Sequence, residues 1–199
     1  MPEILSDAAD IDDLRAVAAG DSHALRRLFQ RHARAVYAFA LRRLEREADA
    51  EDIVSETFCT VWQKAATFGG RSTVRTWLLG IARNKILDTL RARPDFVPES
   101  EVEAELAAMP DPADSPLDQL CAEADDARLA QALASLPQTQ REALYLFAYE
   151  DLSLAEIAQI QGVSVPTVGS RLFLARQTLK RLLGAGAAEQ PNRRQAATS

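Results

Sequence analysis

The sequence predicts an all-α protein of two small helical domains joined by a flexible acidic linker, with a helix-turn-helix in the C-terminal domain. Three observations support this prediction. Ala, Leu, Arg and Glu, which favour helix, dominate the 199 residues. Apolar side chains recur at helical spacing in two separate blocks. Between the blocks, residues 94–126 are rich in proline and acidic side chains, as expected of an extended linker.

Composition and charge exclude several classes of protein. The net charge of −6 means that bulk charge does not attract the chain to nucleic acid. No stretch reaches the roughly 18 uncharged apolar residues that span a bilayer, so no membrane insertion is expected. Neither Cys59 with Cys121 nor His23 with His32 has the spacing of a metal site. No secretory signal is recognised, and we expect a cytoplasmic protein without metal or cofactor.

The first predicted domain spans residues 10–93. A short helix that ends at Gly20 precedes a long amphipathic helix, which Asp21 or Ser22 can cap. A third helix is expected to begin near Asp49, which we interpret as its N-cap.

Two acidic side chains of the third helix, Asp52 and Glu56, are neighbours at i,i+4 spacing. Such like charges destabilise an isolated helix by a few tenths of a kcal/mol. Thr60 follows Glu56 in the same register, so the helix itself supplies no basic partner there. A basic surface on another molecule would turn the repulsion into attraction. The alternative interpretation is a solvated acidic face.

The next helix, within residues 71–93, carries six basic residues against Asp88 alone, in an otherwise acidic chain. Phe68, Gly69 and Gly70 break the chain before it, and Ser72 can cap it. Trp77 lies at the border of its apolar sector, and its exposed sector is predicted to hold Thr73, Thr76, Gly80, Arg83, Asn84, Asp88 and Arg91. Basic groups, an amide and an indole suit a phosphate backbone with unpaired bases, but an ordinary amphipathic surface helix is equally consistent with this stretch.

The second predicted domain spans residues 127–183, and residues 184–199 are predicted to form a disordered tail. Ser153 and Glu156 have the spacing of a capping box, and Gly162 ends the short helix that they begin. Ser164 can cap the following helix, which is basic. Its exposed side is predicted to hold Thr167, Gly169, Ser170, Arg171, Phe173, Arg176, Gln177 and Lys180.

This succession of a capped helix, a glycine turn and a basic helix favours a DNA-binding helix-turn-helix over a simple helical hairpin. Because groove-reading helices use their N-terminal side chains on bases, Arg171 is the expected base reader, and Arg176 and Lys180 are the expected phosphate contacts. The competing interpretation places Arg171 in a structural pair with Glu142 or Glu150.

Taken together, the two blocks resemble the bacterial extracytoplasmic-function (ECF) RNA polymerase sigma factors of the sigma-70 family. DAEDIVSETFCTVWQKAATF followed by TVRTWLLGIARNKILDTLR is similar to their second conserved domain. LPQTQREALYLFAYEDLSLAEIAQIQGVSVPTVGSRLFLAR is similar to their fourth. The resemblance covers roughly residues 20–93 and 128–183, in the family's order.

The resemblance implies an alternative sigma factor that binds core RNA polymerase, recognises −35 and −10 promoter elements and aids promoter melting. It implies three partners: core polymerase, through its beta-prime coiled coil and beta flap; promoter DNA; and commonly an anti-sigma factor. The implied polymerase contacts are Asp52, Ser55, Glu56 and Trp62. The implied −10 contacts are Gly69, Gly70, Arg71, Ser72, Trp77, Arg83, Asn84 and Arg91. The implied −35 contacts are Ser164, Thr167, Gly169, Ser170, Arg171, Phe173, Arg176 and Lys180.

The sequence departs from the family at Gly169 and Leu174, where a basic residue is frequent, so the recognition helix is less basic than usual. The main alternative is a conventional helix-turn-helix regulator with an unrelated helical sensor domain, which would bind duplex DNA without polymerase. The first domain disfavours this alternative, because Trp77 and Asn84 suit unpaired bases better than a small-molecule pocket. An enzyme is a distant third, because the sequence contains no nucleophile elbow, phosphate loop or metal-ligand cluster.

Overall fold

The computed structural model describes residues 2–93 and 126–187, all of whose regular structure is helical, which confirms the all-α prediction. Residues 94–125 and 188–199, where most of the predicted linker and tail fall, lie outside the described residues. The helices are α1 (Pro2–Ala18), α2 (Ser22–Leu44), α3 (Glu47–Lys64), α4 (Val74–Arg91), α5 (Asp126–Ala134), α6 (Gln138–Ala148), α7 (Leu154–Gln161) and α8 (Val165–Ala187), with a 3-10 turn at Ala65–Thr67.

The chain separates into two compact units. Among the described residues, the first comprises 2–93 together with 155–162, and the second comprises 126–154 together with 163–187. None of the described helices combines the length and the hydropathy that crossing a bilayer requires.

The first unit is built on α1 to α4, which pack against one another around a continuous apolar core. The core is formed by the apolar stripe of each amphipathic helix, as the helical periodicity predicts. Its largest fully buried side chains are Leu14, Leu28, Phe39, Leu44, Ile53, Leu78, Leu79 and Ile86.

The helix boundaries of this unit differ from the predicted ones at two caps. Asp21 caps α2 as expected, because its carboxylate accepts the backbone N–H groups of His23 and Ala24. The predicted N-cap Asp49 is wrong, since α3 begins at Glu47 and has no side-chain cap. The prediction that Ser72 caps α4 is also wrong.

Thr73 caps α4 instead, and its hydroxyl accepts the backbone N–H of Thr76 at 3.1 Å. The Thr76 side chain, placed by the sequence pattern in the exposed sector, is buried, with its hydroxyl 2.8 Å from that of Thr73.

A buried ionic network joins α1 to α2. Asp10 lies 2.7 Å from Arg31 Nε and 2.7 Å from His32 Nε2, while Asp13 binds both Arg27 and Arg31. Burial alone would raise the pKa of the Asp10 carboxyl, but the hydrogen bonds and charges of His32 and Arg31 lower it overall. The hydrogen bond from Arg27 lowers the pKa of Asp13, against the effect of burial. This network holds α1 on the unit.

The C-terminal end of α4 is tied back to the α2–α3 junction. Arg93 donates to Asp49 at 2.7 Å and to the backbone carbonyl of Leu44 at 3.5 Å. Asp49 thus serves as an ion-pair partner rather than as a helix cap.

In the second unit, α8 packs against α5 and α6. Arg141 of α6 donates to the backbone carbonyls of Ala134 and Leu136, which closes the turn between α5 and α6. The core around α5 and α8 is formed by Ala132, Leu136, Ala175, Leu179 and Leu183. The recognition helix predicted from the sequence therefore rests on a packed platform.

The turn between α7 and α8 has the predicted chemistry. Gly162 ends α7 with a φ of +69°, a conformation that favours glycine, and its N–H donates to the Ala158 carbonyl at 2.9 Å. Ser164 precedes α8, and its hydroxyl accepts the N–H of Thr167 at 3.3 Å. The chain thus follows the helix, turn and helix succession that the sequence predicts.

Candidate functional site

One side of α3 presents the four residues that the resemblance assigns to polymerase binding. At about 100° per residue, Asp52, Ser55, Glu56 and Trp62 fall within a sector of about 120°. All four are exposed, and the opposite side of α3 is buried in the core. We call these four residues the α3 face.

The α3 face combines acidic and apolar groups. The side chain of Trp62 is 43% exposed, and Phe29 of α2 is exposed to the same extent, with its ring centroid 4.9 Å from that of Phe58. Exposed large apolar groups beside carboxylates are typical of a surface that binds another protein. The free thiol of Cys59 is exposed on this face.

Glu56 has a basic partner that local sequence reasoning did not find. Lys85 of α4 places its Nζ 3.3 Å from Glu56 Oε2. Residue spacing within one helix indicates only partners on that helix, whereas this contact joins two helices. The expectation that Glu56 lacks a basic neighbour therefore holds within α3 but not within the folded unit.

The loop before α4 is shaped by its glycines and by an aromatic contact. Gly70 adopts a φ of +64°, which favours glycine, and both Gly69 and Arg71 are exposed. Phe68 packs edge-on against Trp77, with ring centroids 5.5 Å apart. Trp77 is half-buried, so part of its indole remains accessible, in agreement with its predicted border position.

An open cleft of about 580 Å³ lies beside this loop. One wall comes from α1 and the other from the segment between α3 and α4. Its lining residues are Ile11, Leu14, Arg15, Ala18, Ala65, Ala66, Phe68, Gly69 and Gly70. Sequence reasoning missed the α1 wall, because nothing in the local pattern of Ile11 or Arg15 signals that the fold brings α1 against the loop.

The exposed sector of α4 keeps most of its predicted members. Asn84, Asp88 and Arg91 are exposed, and Arg83 is half-buried. Arg91 lies 3.5 Å from the Asp88 carboxylate, an exposed i,i+3 pair. Ser72 is half-buried and donates to the Thr73 carbonyl at 3.2 Å. The basic loop and the basic sector thus follow one another along the same helix.

On α8, the polar residues of the first turns are partly engaged with one another. The hydroxyls of Ser164 and Thr167 lie 2.7 Å apart, and the Ser170 hydroxyl donates to the Pro166 carbonyl at 3.1 Å. Gly169 borders open space, since a Cβ added there would meet no atom within 4 Å. The hydroxyl groups are therefore held in place by hydrogen bonds within the first turns of α8.

Further along α8, Lys180 is exposed, while Phe173 and Arg176 are half-buried. The Arg176 guanidinium carbon lies 5.1 Å from the ring centroid of Phe147, a cation–π contact between α8 and α6. That contact holds the guanidinium against α6, and the half-buried side chain leaves part of its charge accessible.

The exposure predicted for Arg171 is wrong, because its side chain is only 5% exposed. The helical wheel placed Arg171 near the edge of the apolar stripe. The packing of α8 in the second unit buries a sector wider than that stripe, and this sector includes Arg171. Glu142 and Glu150, the candidate structural partners, are buried as well. A charged guanidinium in a protein interior must be paired there, so the burial of Arg171 favours the structural interpretation over the base-reading one.

No group of three or more His, Cys, Asp or Glu side chains within residues 2–93 and 126–187 is placed to hold a metal ion. The described surfaces offer basic groups, hydroxyls, one acidic face and exposed aromatic rings. These groups suit binding to nucleic acid and to protein.

Two family models match the chain. The Sigma-70 region 2 model matches residues 28–94, and the Sigma-70 region 4 model matches residues 126–179. The first match contains the α3 face, the glycine loop and α4. The second contains the α7–α8 succession.

Curated relatives match over most of the chain. The ECF RNA polymerase sigma factor RpoE of Cereibacter sphaeroides is 35% identical over 161 residues, which cover 80% of this chain and 86% of the relative. The ECF RNA polymerase sigma factor SigL of Mycobacterium tuberculosis is 34% identical over 165 residues, which cover 82% and 90%.

Two solved structures are similar in fold. CnrH in complex with the cytosolic domain of CnrY has a TM-score of 0.64 and 28% identity, covering 89% of this chain and 98% of that chain. The sigma factor RpoE in complex with the anti-sigma factor NepR from Bartonella quintana has a TM-score of 0.58 and 28% identity, covering 80% and 96%. This chain therefore belongs to the ECF RNA polymerase sigma factors, alternative initiation factors that bind core polymerase and promoter DNA and direct promoter-specific transcription.

Proposed function

We propose that separate segments of this sigma factor bind polymerase and recognise the two promoter elements. Residues 10–93 bind core polymerase and recognise the −10 element, residues 127–183 recognise the −35 element, and residues 94–126 link them. The observation that carries this division is a pair of neighbouring surfaces that differ in charge, one on α3 and the other on the loop and α4. One is acidic and apolar, and the other is basic and preceded by a glycine loop.

The α3 face is the proposed contact for the beta-prime coiled coil of polymerase. Asp52 and Glu56 supply charge, Trp62 supplies an exposed aromatic anchor, and Ser55 lies between them. Aromatic anchors near the centre of an interface contribute a large share of binding free energy. The beta flap is the proposed polymerase contact of the second domain.

The loop and α4 are the proposed −10 reader. Gly69, Gly70, Arg71 and Ser72 would approach the DNA backbone closely, and the adjacent cleft with Arg15 has room for an unstacked base. Stacking of a base on an aromatic ring contributes about 1–3 kcal/mol, and Trp77 offers part of its indole for it. The remaining contacts are the α4 residues Arg83, Asn84 and Arg91.

The N-terminal half of α8 is the proposed −35 reader. Thr167 and Ser170 would lie against the base edges, Gly169 leaves room beside them, and Arg176 and Lys180 would hold phosphates. Ser164 caps the helix, whose N-terminal dipole favours a phosphate. Phe173 borders this surface, whereas the burial of Arg171 supports a structural role for that residue.

We further propose an anti-sigma factor as a regulatory partner. The structurally similar sigma factor RpoE was solved in complex with the anti-sigma factor NepR, and CnrH was solved in complex with the cytosolic domain of CnrY. The protein would act in the cytoplasm, where polymerase is found, as an initiation factor rather than as an enzyme.

The experiment that tests the assignment of the α3 face is run-off transcription with purified core polymerase. Asp52→Lys with Glu56→Lys should abolish promoter-directed transcripts and co-purification with core polymerase, while leaving the helical content unchanged. Asp12→Lys with Asp126→Lys changes the net charge equally at exposed sites elsewhere and is the matched control. Unchanged co-purification of the α3-face variant would overturn the assignment.

Trp77→Ala tests the −10 assignment separately. If the indole receives a displaced base during melting, the variant should lose more activity on a duplex promoter than on a pre-melted one. A lower melting temperature with equal losses on both templates would assign Trp77 to the packing of Phe68 instead.

A further inference from the structure

The ion pair between Lys85 and Glu56 connects the proposed polymerase contact to the proposed promoter contact. Lys85 Nζ lies 3.3 Å from Glu56 Oε2. The Glu56 side chain is 55% exposed and that of Lys85 is 34% exposed. One member of the pair thus belongs to the α3 face, and the other belongs to α4.

The exposure of this pair makes it exchangeable. Ion pairs between solvent-exposed side chains shift an equilibrium by about two- to fivefold, because water screens them and two long side chains must be ordered. A basic group of another protein that approaches Glu56 competes directly with Lys85 for the same carboxylate. A second cation at the same carboxylate repels the Lys85 ammonium and weakens its contact with Glu56.

The position of Lys85 on α4 allows its ammonium to reach a second location, the exposed sector of that helix. Lys85 lies about 100° around the helix from Asn84, at the border of the exposed sector. Its four-carbon stem lets the charge swing toward that sector. Asp88, the nearest acidic residue along α4, already holds Arg91 at 3.5 Å.

We propose that Lys85 is a shared cation that couples polymerase binding to promoter binding. In the free sigma factor its ammonium neutralises Glu56. When a basic polymerase group takes that carboxylate, Lys85 is released and contacts a phosphate of the −10 strand. This proposal rests on the proposed function of the α3 face and α4, and it adds Lys85 to the DNA contacts of the engaged state.

The coupling is testable in the free full-length protein, without polymerase. Glu56→Gln removes the carboxylate charge and releases Lys85, so the affinity for a short single-stranded oligonucleotide at low ionic strength should rise about two- to fivefold. The slope of log affinity against log salt should steepen by about 0.7, the value for one added phosphate contact on a single strand. Fluorescence anisotropy measures both quantities.

Three matched variants separate release of Lys85 from a general change in charge. Glu56→Gln with Lys85→Gln should return the affinity and the slope to the wild-type values. Glu56→Gln with Lys64→Gln, which removes an exposed lysine at the end of α3, should retain the gain. Asp52→Asn removes an equal charge from the same face without freeing Lys85, and should give no steeper slope.

The outcome that would overturn the proposal is an equal gain in Asp52→Asn, or a gain that persists without Lys85. Absence of any gain in Glu56→Gln would overturn it as well. Failure of the proposed function is distinguished by a parallel measurement of core polymerase binding. If Glu56→Gln binds core polymerase as tightly as wild type, the assignment of the α3 face is wrong, whatever the oligonucleotide result shows.

Discussion

The carboxylate of Asp10 lies 2.7 Å from Nε2 of His32, and both side chains are buried between α1 and α2. Arg31 binds the same carboxylate through its Nε. A buried charge of this kind is tolerated only while its partners remain in place. The attachment of α1, which forms one wall of the cleft, therefore depends on a polar contact in addition to the buried Leu14 and Val17.

Asp10→Asn should lower the free energy of unfolding by about 1–3 kcal/mol at neutral pH, because it leaves buried partners incompletely satisfied. The folded-state pKa values of Asp10 and Asp13 are lowered from 3.8. A lowered carboxyl pKa stabilises the fold above the unfolded value, and that contribution is lost as the pH falls through the folded value. Urea unfolding followed by circular dichroism should show the wild-type advantage shrinking below about pH 4.

The control for this prediction is Asp12→Asn on the same helix. Asp12 pairs with Arg15, and both side chains are 77% exposed. Its removal should cost less than about 0.5 kcal/mol. Equal losses in the two variants would contradict a special role for the buried network.

Thr57→Val should stabilise the first unit by up to about 1 kcal/mol. Thr57 is fully buried in α3, and its hydroxyl has no hydrogen-bond partner among the described residues. Replacing an unsatisfied hydroxyl with a methyl group removes a desolvation cost at constant shape. Thermal unfolding should show a higher melting temperature for Thr57→Val. Thr60→Val, which removes a hydroxyl that donates to the Glu56 carbonyl, should show no such increase. A lower melting temperature for Thr57→Val would be inconsistent with this account.

Alkylation of Cys59 with a bulky maleimide should block polymerase binding. Cys59 lies three positions after Glu56 and three before Trp62, exposed on the α3 face. The experiment uses a Cys121→Ser background so that one thiol reacts. Co-purification with core polymerase should fall more than about tenfold, because the bulky adduct would occupy the interface beside Trp62, the proposed hot-spot aromatic. The same reagent applied to Cys59→Ser in that background should have no effect.

Gly169→Lys should strengthen binding to the upstream promoter element without changing the preferred sequence. The site borders open space, so the side chain fits, and a lysine adds about one phosphate contact to the salt slope. Gly184→Lys is the matched control, because it also meets open space but lies about 22 Å further along α8. Binding isotherms on a duplex library over a range of salt measure both terms. A shifted base preference, or an equal gain at Gly184, would refute the assignment.

Arg171→Ala should destabilise the second unit rather than relax base preference. Removing one partner of a buried, engaged charge costs about 3–5 kcal/mol. Denaturant unfolding should reveal this loss, and promoter libraries transcribed at low temperature should retain the wild-type base preference. Relaxed preference at a single base pair in a normally stable variant would restore Arg171 as a base reader.

The sequence was sufficient for the fold class, for the main core residues and for the turn chemistry at Gly162 and Ser164, because these depend on helical periodicity and local capping. It placed Thr76 and Arg171 on exposed sides, although both are buried. A helical wheel gives the direction of each side chain but not the width of the surface that neighbouring helices cover.

Contacts between helices were beyond local reasoning. The ion pair of Lys85 with Glu56 joins residues 29 positions apart in sequence, and Arg31 reaches back 21 positions to Asp10. Similarly, the α1 wall of the cleft follows from packing rather than from any motif. Pairing between helices depends on how the helices pack and on which side-chain rotamers then meet. Residue spacing within one helix does not determine either.

The tie between Arg93 and the α2–α3 junction has a mechanical consequence. Arg93 lies two residues beyond the end of α4 and is held by Asp49 and by the Leu44 carbonyl. A pull on the chain beyond this residue is therefore carried into the body of the first unit instead of peeling α4 from its end. The tie therefore shields Asn84 and Arg91, the proposed promoter contacts of α4, from forces that act on the chain beyond Arg93.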